Sequence, residues 1–295
     1  MKRKVAFVVN FKSGSDRQTD RVALIRNNLS DTYDATIFEW KQIDDRDSIF
    51  KSVLNGGFDI AVAVGGDGTV SQLASALCNS SVALGIIPFG SGNGLARHLQ
   101  VPMDRIAAMK LIAEGVIQTM DKGVINGQDF FCTCGTGFDA RIGKLFAEST
   151  TRGFWTYARL ILQEFRKYEK EFYRITIDGK KIEREAFLVS VANAGQYGNN
   201  AWIAPGALVN DGLLRVVVLK PFRWWALPGL IRKVFFKRMQ SSKYVETYTG
   251  KEILIERTDK GPAHFDGEPA EFGAELKIDV VPACLKVVVS SAFQG

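Results

Sequence analysis

Apolar positions change rhythm along this chain. In the first 120 residues they come as short solid runs separated by mixed segments. Lys4–Val9, Thr32–Trp40, Ile60–Val64 and Val82–Pro88 read as strands, and the unbroken apolar run Ile60–Val64 suits a parallel strand covered on both faces. Between them the apolar spacing turns helical. It predicts helices over Arg17–Leu29 capped by Asp16, Asp45–Leu54 ending at Gly56-Gly57, Val70–Cys78 capped by Thr69, one from Leu95, and Met103–Glu114. Strand-helix alternation of this kind builds a parallel α/β sheet whose ligands sit at the carboxyl ends of strands.

Near Lys122 the pattern shifts to β-branched alternation. Gln128–Thr133, Tyr173–Asp178, Phe187–Ala192, Leu213–Leu219, Glu252–Glu256 and Leu276–Val281 read as antiparallel strands, and Leu285–Ser290 as a final one. Asp178-Gly179 is a hairpin turn signal. Helical spacing interrupts this part over Arg141–Ala147, Phe154–Lys170 and Arg223–Met239.

Two glycine turns change the picture from fold to chemistry. Gly65-Gly66-Asp67-Gly68-Thr69 follows the third strand. Missing Cβ atoms let a ligand approach the main chain, and a helix N-terminus behind the turn suits phosphate. Asp67 stands where phosphates would lie, which implies a cation between them. Phe89-Gly90-Ser91-Gly92-Asn93-Gly94 follows the next strand, so both turns can face one ligand. Ser91 and Asn93 can hydrogen-bond phosphate or ribose; Arg97 is either a ligand group or a solvated charge. A P-loop lysine is absent, and the dinucleotide fold's third glycine and ribose acid are both missing.

At 295 residues, 46% apolar and 24% charged, the chain is long enough for two ordinary globular domains. No apolar run approaches a membrane span, and the N-terminal basic residues lead into too short an apolar stretch for a signal sequence, so a cytoplasmic protein is expected. Cys132 and Cys134 flank one threonine with no histidine nearby, which argues against zinc. The net charge of +6 favours anionic partners such as nucleotides or acidic lipid. It is concentrated: Gly212 through Val245 holds no acid, while Phe222–Met239 interleaves Arg223, Arg232, Lys233, Lys237 and Arg238 with Phe222, Trp224, Trp225, Phe235 and Phe236. Such a segment either lies in a membrane interface or packs on the β part with a solvated basic face. No nucleic-acid motif accompanies it, so no nucleic-acid partner is expected. Oligomeric state is not legible.

Gly65–Thr69 together with Gly85–Arg97 resembles the catalytic domain of the diacylglycerol kinase and sphingosine kinase family, most of all the soluble bacterial lipid kinases. NAD kinases share the first motif but not the second. The resemblance implies an α/β nucleotide-binding domain of the NAD kinase and diacylglycerol kinase type (residues 1–123), an antiparallel β-sandwich domain for the lipid (124–283), and a C-terminal segment (284–295) returning to the first. It implies an ATP- and Mg²⁺-dependent lipid kinase, with a diacylglycerol-type acceptor first and a sphingoid base close behind. By the same resemblance, Asn10, Ser13, Gly65, Gly66, Asp67, Gly68, Thr69, Gly90, Ser91, Gly92 and Asn93 bind nucleotide. Asp211 with the main-chain carbonyls of Leu208 and Leu213 holds a structural magnesium. Glu268 is the base, with Asp266 and Asp67 in the water and magnesium network. The chain departs from the family pattern at Phe11, where proline is usual, at Gln72, where glutamate is usual, and at Gly94, where aspartate is usual. Gly65–Thr69 keeps an NAD kinase as a rival, and Gln72 and Phe11 keep a catalytically silent lipid- or nucleotide-binding protein.

Overall fold

A computed structural model describes residues 2–12, 20–29, 31–148, 154–165, 167, 168 and 170–295. They fall into two compact units, one of residues 1–121, 198–200 and 282–295, the other of 122–197 and 201–281. The first begins as strand-helix alternation: β1 (Arg3–Asn10), α1 (Arg21–Asn27), β2 (Tyr33–Trp40), α2 (Asp45–Asn55), β3 (Ile60–Gly65), α3 (Asp67–Leu77), β4 (Ala83–Pro88), α4 (Gly94–His98) and α5 (Arg105–Glu114). The strands are parallel in the order β2-β1-β3-β4. Val5–Val9 and Ile60–Val64 face each other in register and are fully buried, as a sheet covered on both faces requires. β5 (Val116–Ile125), a strand the apolar pattern does not announce, follows α5.

Two helix starts differ from expectation. The Asp20 carboxylate accepts the amides of Val22 and Ala23, so α1 starts at Arg21; Asp16 and Ser13 lie outside the described residues. α3 starts at Asp67 rather than after Thr69. Gly66 is its extended N-cap, and Thr69 N–H already bonds Gly66 O at 3.0 Å. Thr69 is therefore inside the first turn, with its hydroxyl turned to another partner.

The second unit adds β6 (Gln128–Phe130), β7 (Thr133–Gly137), α6 (Phe138–Glu148), α7 (Phe154–Phe165), β8 (Glu171–Ile177), β9 (Lys180–Ala186), β10 (Leu188–Ala192), β11 (Leu214–Leu219), α8 (Leu227–Phe235), β12 (Val245–Gly250), β13 (Glu252–Glu256), β14 (Gly261–Phe265), β15 (Glu268–Phe272) and β16 (Glu275–Val289). A six-stranded antiparallel sheet runs β12-β11-β10-β7-β14-β15. A second layer contains β9, β8, β13 and the start of β16. Alternate residues meet in the core: Tyr173, Ile175 and Ile177 with Val189, Val191, Leu214, Val216, Val218, Ile253 and Ile255. The opposite set on the six-stranded sheet, including Leu188, Ala192, Val217 and Leu219, packs under Phe138, Ile142, Leu230 and Met239. This is why β10 is buried along its whole length.

The predicted strand Gln128–Thr133 is broken. The amides of Phe131, Cys132 and Thr133 bond a carboxylate instead of a strand, so Cys132 and Cys134 do not share one. The two terminal strands expected from Leu276–Val281 and Leu285–Ser290 are one strand, β16. It passes Pro282, which has no N–H to give, by setting Ala283 at φ +50° and donating its amide to Asp121 Oδ1 at 2.7 Å. Its residues 275–279 pair antiparallel with β13, and Lys286 and Val287 pair parallel with β4.

Candidate active site

In the first unit the two glycine turns are joined. Phe89 N–H bonds Gly65 O at 2.8 Å. A Cβ on Gly90 would stand 2.9 Å from Gly66 Cα and 2.7 Å from Asn93 Oδ1, so only glycine lets the loops touch. Asp67, first residue of α3, accepts the amides of Asn93 at 2.9 Å and Gly94 at 2.6 Å. Asn93 sits at φ +51° and bridges its own loop, accepting from Gly90 N–H and donating to Gly90 O. Asn10 at the end of β1 donates to Thr69 Oγ1 at 3.1 Å. Thus Asn10, Gly65, Gly66, Asp67, Thr69, Gly90, Gly92 and Asn93 come together; Gly68 lies in the first turn of α3, and Ser91 is exposed on the loop. Arg97 is a brace, its Nε donating to Gly92 O at 3.0 Å. Gln72 receives a long contact from Arg46 at 3.5 Å. Residues 198–200 also belong to this unit: Asn199 N–H bonds Gly92 O at 3.0 Å, and Gly198, at φ +109°, has no room for a Cβ against Gly92.

In the second unit Asp266-Gly267 is the two-residue turn of the β14–β15 hairpin, with φ +48° and +82°. The Asp266 carboxylate accepts the amides of Phe131, Cys132 and Thr133 at 2.7–3.2 Å. Both expected acids are therefore near one turn, but they differ in circumstance. Asp266 anchors the main chain. Glu268 is exposed and makes no side-chain hydrogen bond or ion pair among the described residues.

The neighbouring network was not anticipated. His264 Nε2 lies 3.1 Å from Asp139 Oδ2, and Tyr197 Oη donates to the same oxygen at 2.9 Å. Asp139 is the second residue of α6 and also accepts Ala140 N–H. His264 packs over Gly135, where a Cβ would come 3.3 Å from its ring nitrogen. The available signal was Gly137-Phe138-Asp139, a strand ending on glycine with an acid opening the next helix. Burial pushes the Cys134 thiol well up, with the Asp266 and Asp139 carboxylates adding to the effect, so it stays protonated and is no nucleophile.

The expected metal set shows one observed feature, the surroundings of the Asp211 carboxylate. Asp211 Oδ1 accepts Leu213 N–H at 3.0 Å, and Oδ2 lies 2.5 Å from Arg215 Nη2. The two side chains are only 21% and 15% exposed. A guanidinium thus holds the carboxylate expected to take magnesium. The Leu208 side chain is exposed. Among the described residues no three His, Cys, Asp or Glu gather as a metal site. The expected set, one carboxylate and two main-chain carbonyls, is not a cluster of that kind; what the structure shows of it is the Asp211 carboxylate held by Arg215 and Leu213 N–H.

Residues 4–125 match the model of the diacylglycerol kinase catalytic domain, and residues 132–289 that of the YegS C-terminal NAD kinase beta sandwich-like domain. The chain is 29% identical to a protein of Pectobacterium atrosepticum named "Probable lipid kinase YegS-like", over 234 residues and 77% of each chain. It is 27% identical to one of the same name from Pseudomonas aeruginosa, covering 97% of this chain and 94% of the relative. A "Diacylglycerol kinase" of Mycobacterium tuberculosis is 29% identical over 246 residues, 79% of this chain and 77% of the relative. A solved diacylglycerol kinase structure from Bacillus anthracis shares the fold, with a TM-score of 0.77, 24% identity and 98% coverage of each chain. The clamped glycine loops lie inside the first matched region and the Asp266 hairpin inside the second, which alone is more than half the chain: the protein belongs to the bacterial YegS-like lipid kinase family.

Proposed function

We propose that the protein transfers the γ-phosphoryl group of ATP to a lipid hydroxyl, with a diacylglycerol-type alcohol as acceptor and a sphingoid base as the next candidate. The observation that carries this is the Asp67 clamp. It fixes two glycine loops in one arrangement, and phosphoryl transfer depends on positioned donors rather than on covalent chemistry by the protein. In this reading the main chain of Gly65–Thr69 and Gly90–Asn93 receives the phosphates, with Asn10 at their edge, and Ser13 is assigned to the same nucleotide by the family resemblance. Asp67 positions and does not react. We assign residues 1–123 and 284–295 to nucleotide binding and 124–283 to the lipid.

Glu268 takes the proton of the acceptor hydroxyl. Its exposed, unpaired carboxylate supports that role, while the three amides on Asp266 hold the turn that presents it. Mg²⁺ bound with ATP would neutralise charge developing on the transferred phosphate. Asp211, with the main-chain carbonyls of Leu208 and Leu213, remains the candidate for a separate structural Mg²⁺, where it would share its carboxylate with Arg215.

No helix among the described residues is long and apolar enough to cross a membrane. We assign the protein to the cytoplasm, with peripheral contact to the inner membrane face through Phe222–Met239.

The test is purified protein with labelled ATP, Mg²⁺ and a panel of lipid alcohols and NAD. Label is expected in lipid, and Glu268→Gln should lower kcat about 10²–10⁴-fold with ATP affinity unchanged. Transfer to NAD alone would sink the lipid reading. ATP binding without transfer to any acceptor would make the protein a silent binder.

A further inference from the structure

The segment around α8 is fixed from below. Leu230 and Met239 are buried in the cluster under the six-stranded sheet, and Trp202 N–H bonds Val234 O at 3.0 Å. Its outer side is unusual for a surface. Trp224, Trp225 and Phe236 are 71%, 55% and 68% exposed, beside exposed Ile231 and Phe235. Isolated exposed apolar residues need no explanation, but large aromatics gathered on one short segment mark a contact surface.

Next to them is an open pocket of about 440 Å³, lined by Arg232, Lys233, Phe236, Arg238 and Ser241. Lys233 Nζ donates to Ser241 O and Oγ, both at 2.9 Å, and Arg238 N–H bonds Lys233 O at 2.8 Å. The turn after α8 is thereby tied into a defined rim. Among the described residues, none of Arg232, Lys233 and Arg238 is paired with a carboxylate, and the chain offers no acid from Gly212 through Val245. Elsewhere the same chain does pair its cations, as at Arg184 and Lys220 with Glu246 and at Arg215 with Asp211. Three unneutralised cations outweigh the partial negative charge of the helix C-terminus they surround. The pocket therefore calls for an anion, and Phe236 on its wall, with the exposed tryptophans at the other end of α8, for an apolar environment beside it.

We propose that Arg232, Lys233 and Arg238 bind the phosphate-bearing headgroup of an anionic phospholipid, at a rim where the Ser241 hydroxyl donates to Arg238 O, while Trp224, Trp225 and Phe236 enter the same membrane leaflet. The inference deepens, and rests on, the assignment of Phe222–Met239 to membrane contact. Tryptophan at headgroup depth and cations beside it are the pairing a membrane interface selects. A consequence follows for the proposed reaction. Phosphorylation of a neutral lipid alcohol makes an anionic lipid, so the leaflet binds this pocket better as turnover proceeds.

The test is co-sedimentation of the full chain with vesicles of phosphatidylcholine alone or mixed with phosphatidylglycerol. Wild type should prefer the anionic vesicles and lose that preference as salt is raised. Each Lys or Arg near an anionic surface is worth about fivefold in partitioning, so Arg232→Gln with Arg238→Gln should weaken anionic binding about 30-fold and leave neutral binding alone. That pair spares Lys233, which braces the turn, and its thermal midpoint checks folding. Trp224→Ala with Trp225→Ala should weaken binding to both vesicles. Inorganic phosphate should displace the protein no more than sodium chloride of the same ionic strength does, and only displacement beyond that counts as competition. Equal binding to neutral and anionic vesicles overturns the headgroup site but leaves membrane contact standing. Binding to neither overturns both, and displacement by free phosphate makes the pocket a soluble-anion site.

Discussion

Asp67 illustrates how the place of a side chain is legible before its contacts are. As an acid in a phosphate turn it suggested a cation; in the structure its two oxygens hold the amides of Asn93 and Gly94. Replacing it with asparagine removes the charge and points an NH₂ at one of those amides. Hydrogen bonds to charged groups are worth about 1.5–3 kcal/mol, so Asp67→Asn should weaken ATP binding about 10- to 100-fold by calorimetry. Unchanged affinity would mean that the clamp does not shape the nucleotide site. Asp266 is the contrasting case. Its three amide bonds lie in the β unit, so Asp266→Ala should lower the thermal midpoint while leaving the dissociation constant for ATP as it was. Gln72 and Gly94, where acids are usual in the family, leave Asp67 the one acid in the joined loops.

Among the elements, the β14–β15 hairpin depends on its turn. Gly267 at φ +82° is in the region L side chains avoid. Gly267→Val should cost about 1–2 kcal/mol in urea unfolding, because a β-branched residue meets its own backbone there. A loss indistinguishable from zero would show that the turn relaxes. β12 carries a pH-dependent contribution. Glu246 accepts from Tyr248 Oη at 2.6 Å and Arg184 Nε at 2.8 Å, with Lys220 at 3.1 Å. The Tyr248 hydroxyl first, then the two cations, outweigh burial and bring its carboxyl from the usual 4.5 down to about 2. A depressed carboxylate stabilises the fold above its unfolded value. That contribution is complete above pH 4.5 and is lost as pH falls towards 2. Glu246→Gln should therefore flatten the fall in thermal midpoint across this window; parallel curves for the two proteins would contradict the assignment.

At the scale of the molecule, the C-terminal strand is the element on which the first unit closes. Residues 286 and 287 of β16 pair with β4, and Leu285, Val287, Val288, Val289 and Phe293 are buried. At about 1.5–3 kcal/mol for each buried large apolar side chain, losing these five is comparable with the whole of a typical net stability of about 5–15 kcal/mol. Ending the chain after Val281 should leave residues 1–121 unfolded, read as loss of ATP binding and aggregation on expression. A truncated protein that binds ATP normally would remove β16 from that role. Apolar runs announced the parallel strands because a doubly covered sheet needs them. The same logic could not announce Val245–Gly250 or Gly261–Phe265, whose half-buried and polar residues alternate too weakly to stand out.

By itself the sequence determined the α/β and β-rich halves, the two glycine turns, and the family they indicate, because run length, alternation and missing Cβ atoms act within a few residues. It also showed the acid-free aromatic segment, since that is composition. Only the tertiary structure decided which groups meet. Asp67 finds amides 26 and 27 residues away, His264 finds Asp139 across 125 residues, and Arg215 pairs with Asp211. Local propensity carries no term for such encounters. A carboxylate advertises its charge in the sequence, but folding selects which donor satisfies it.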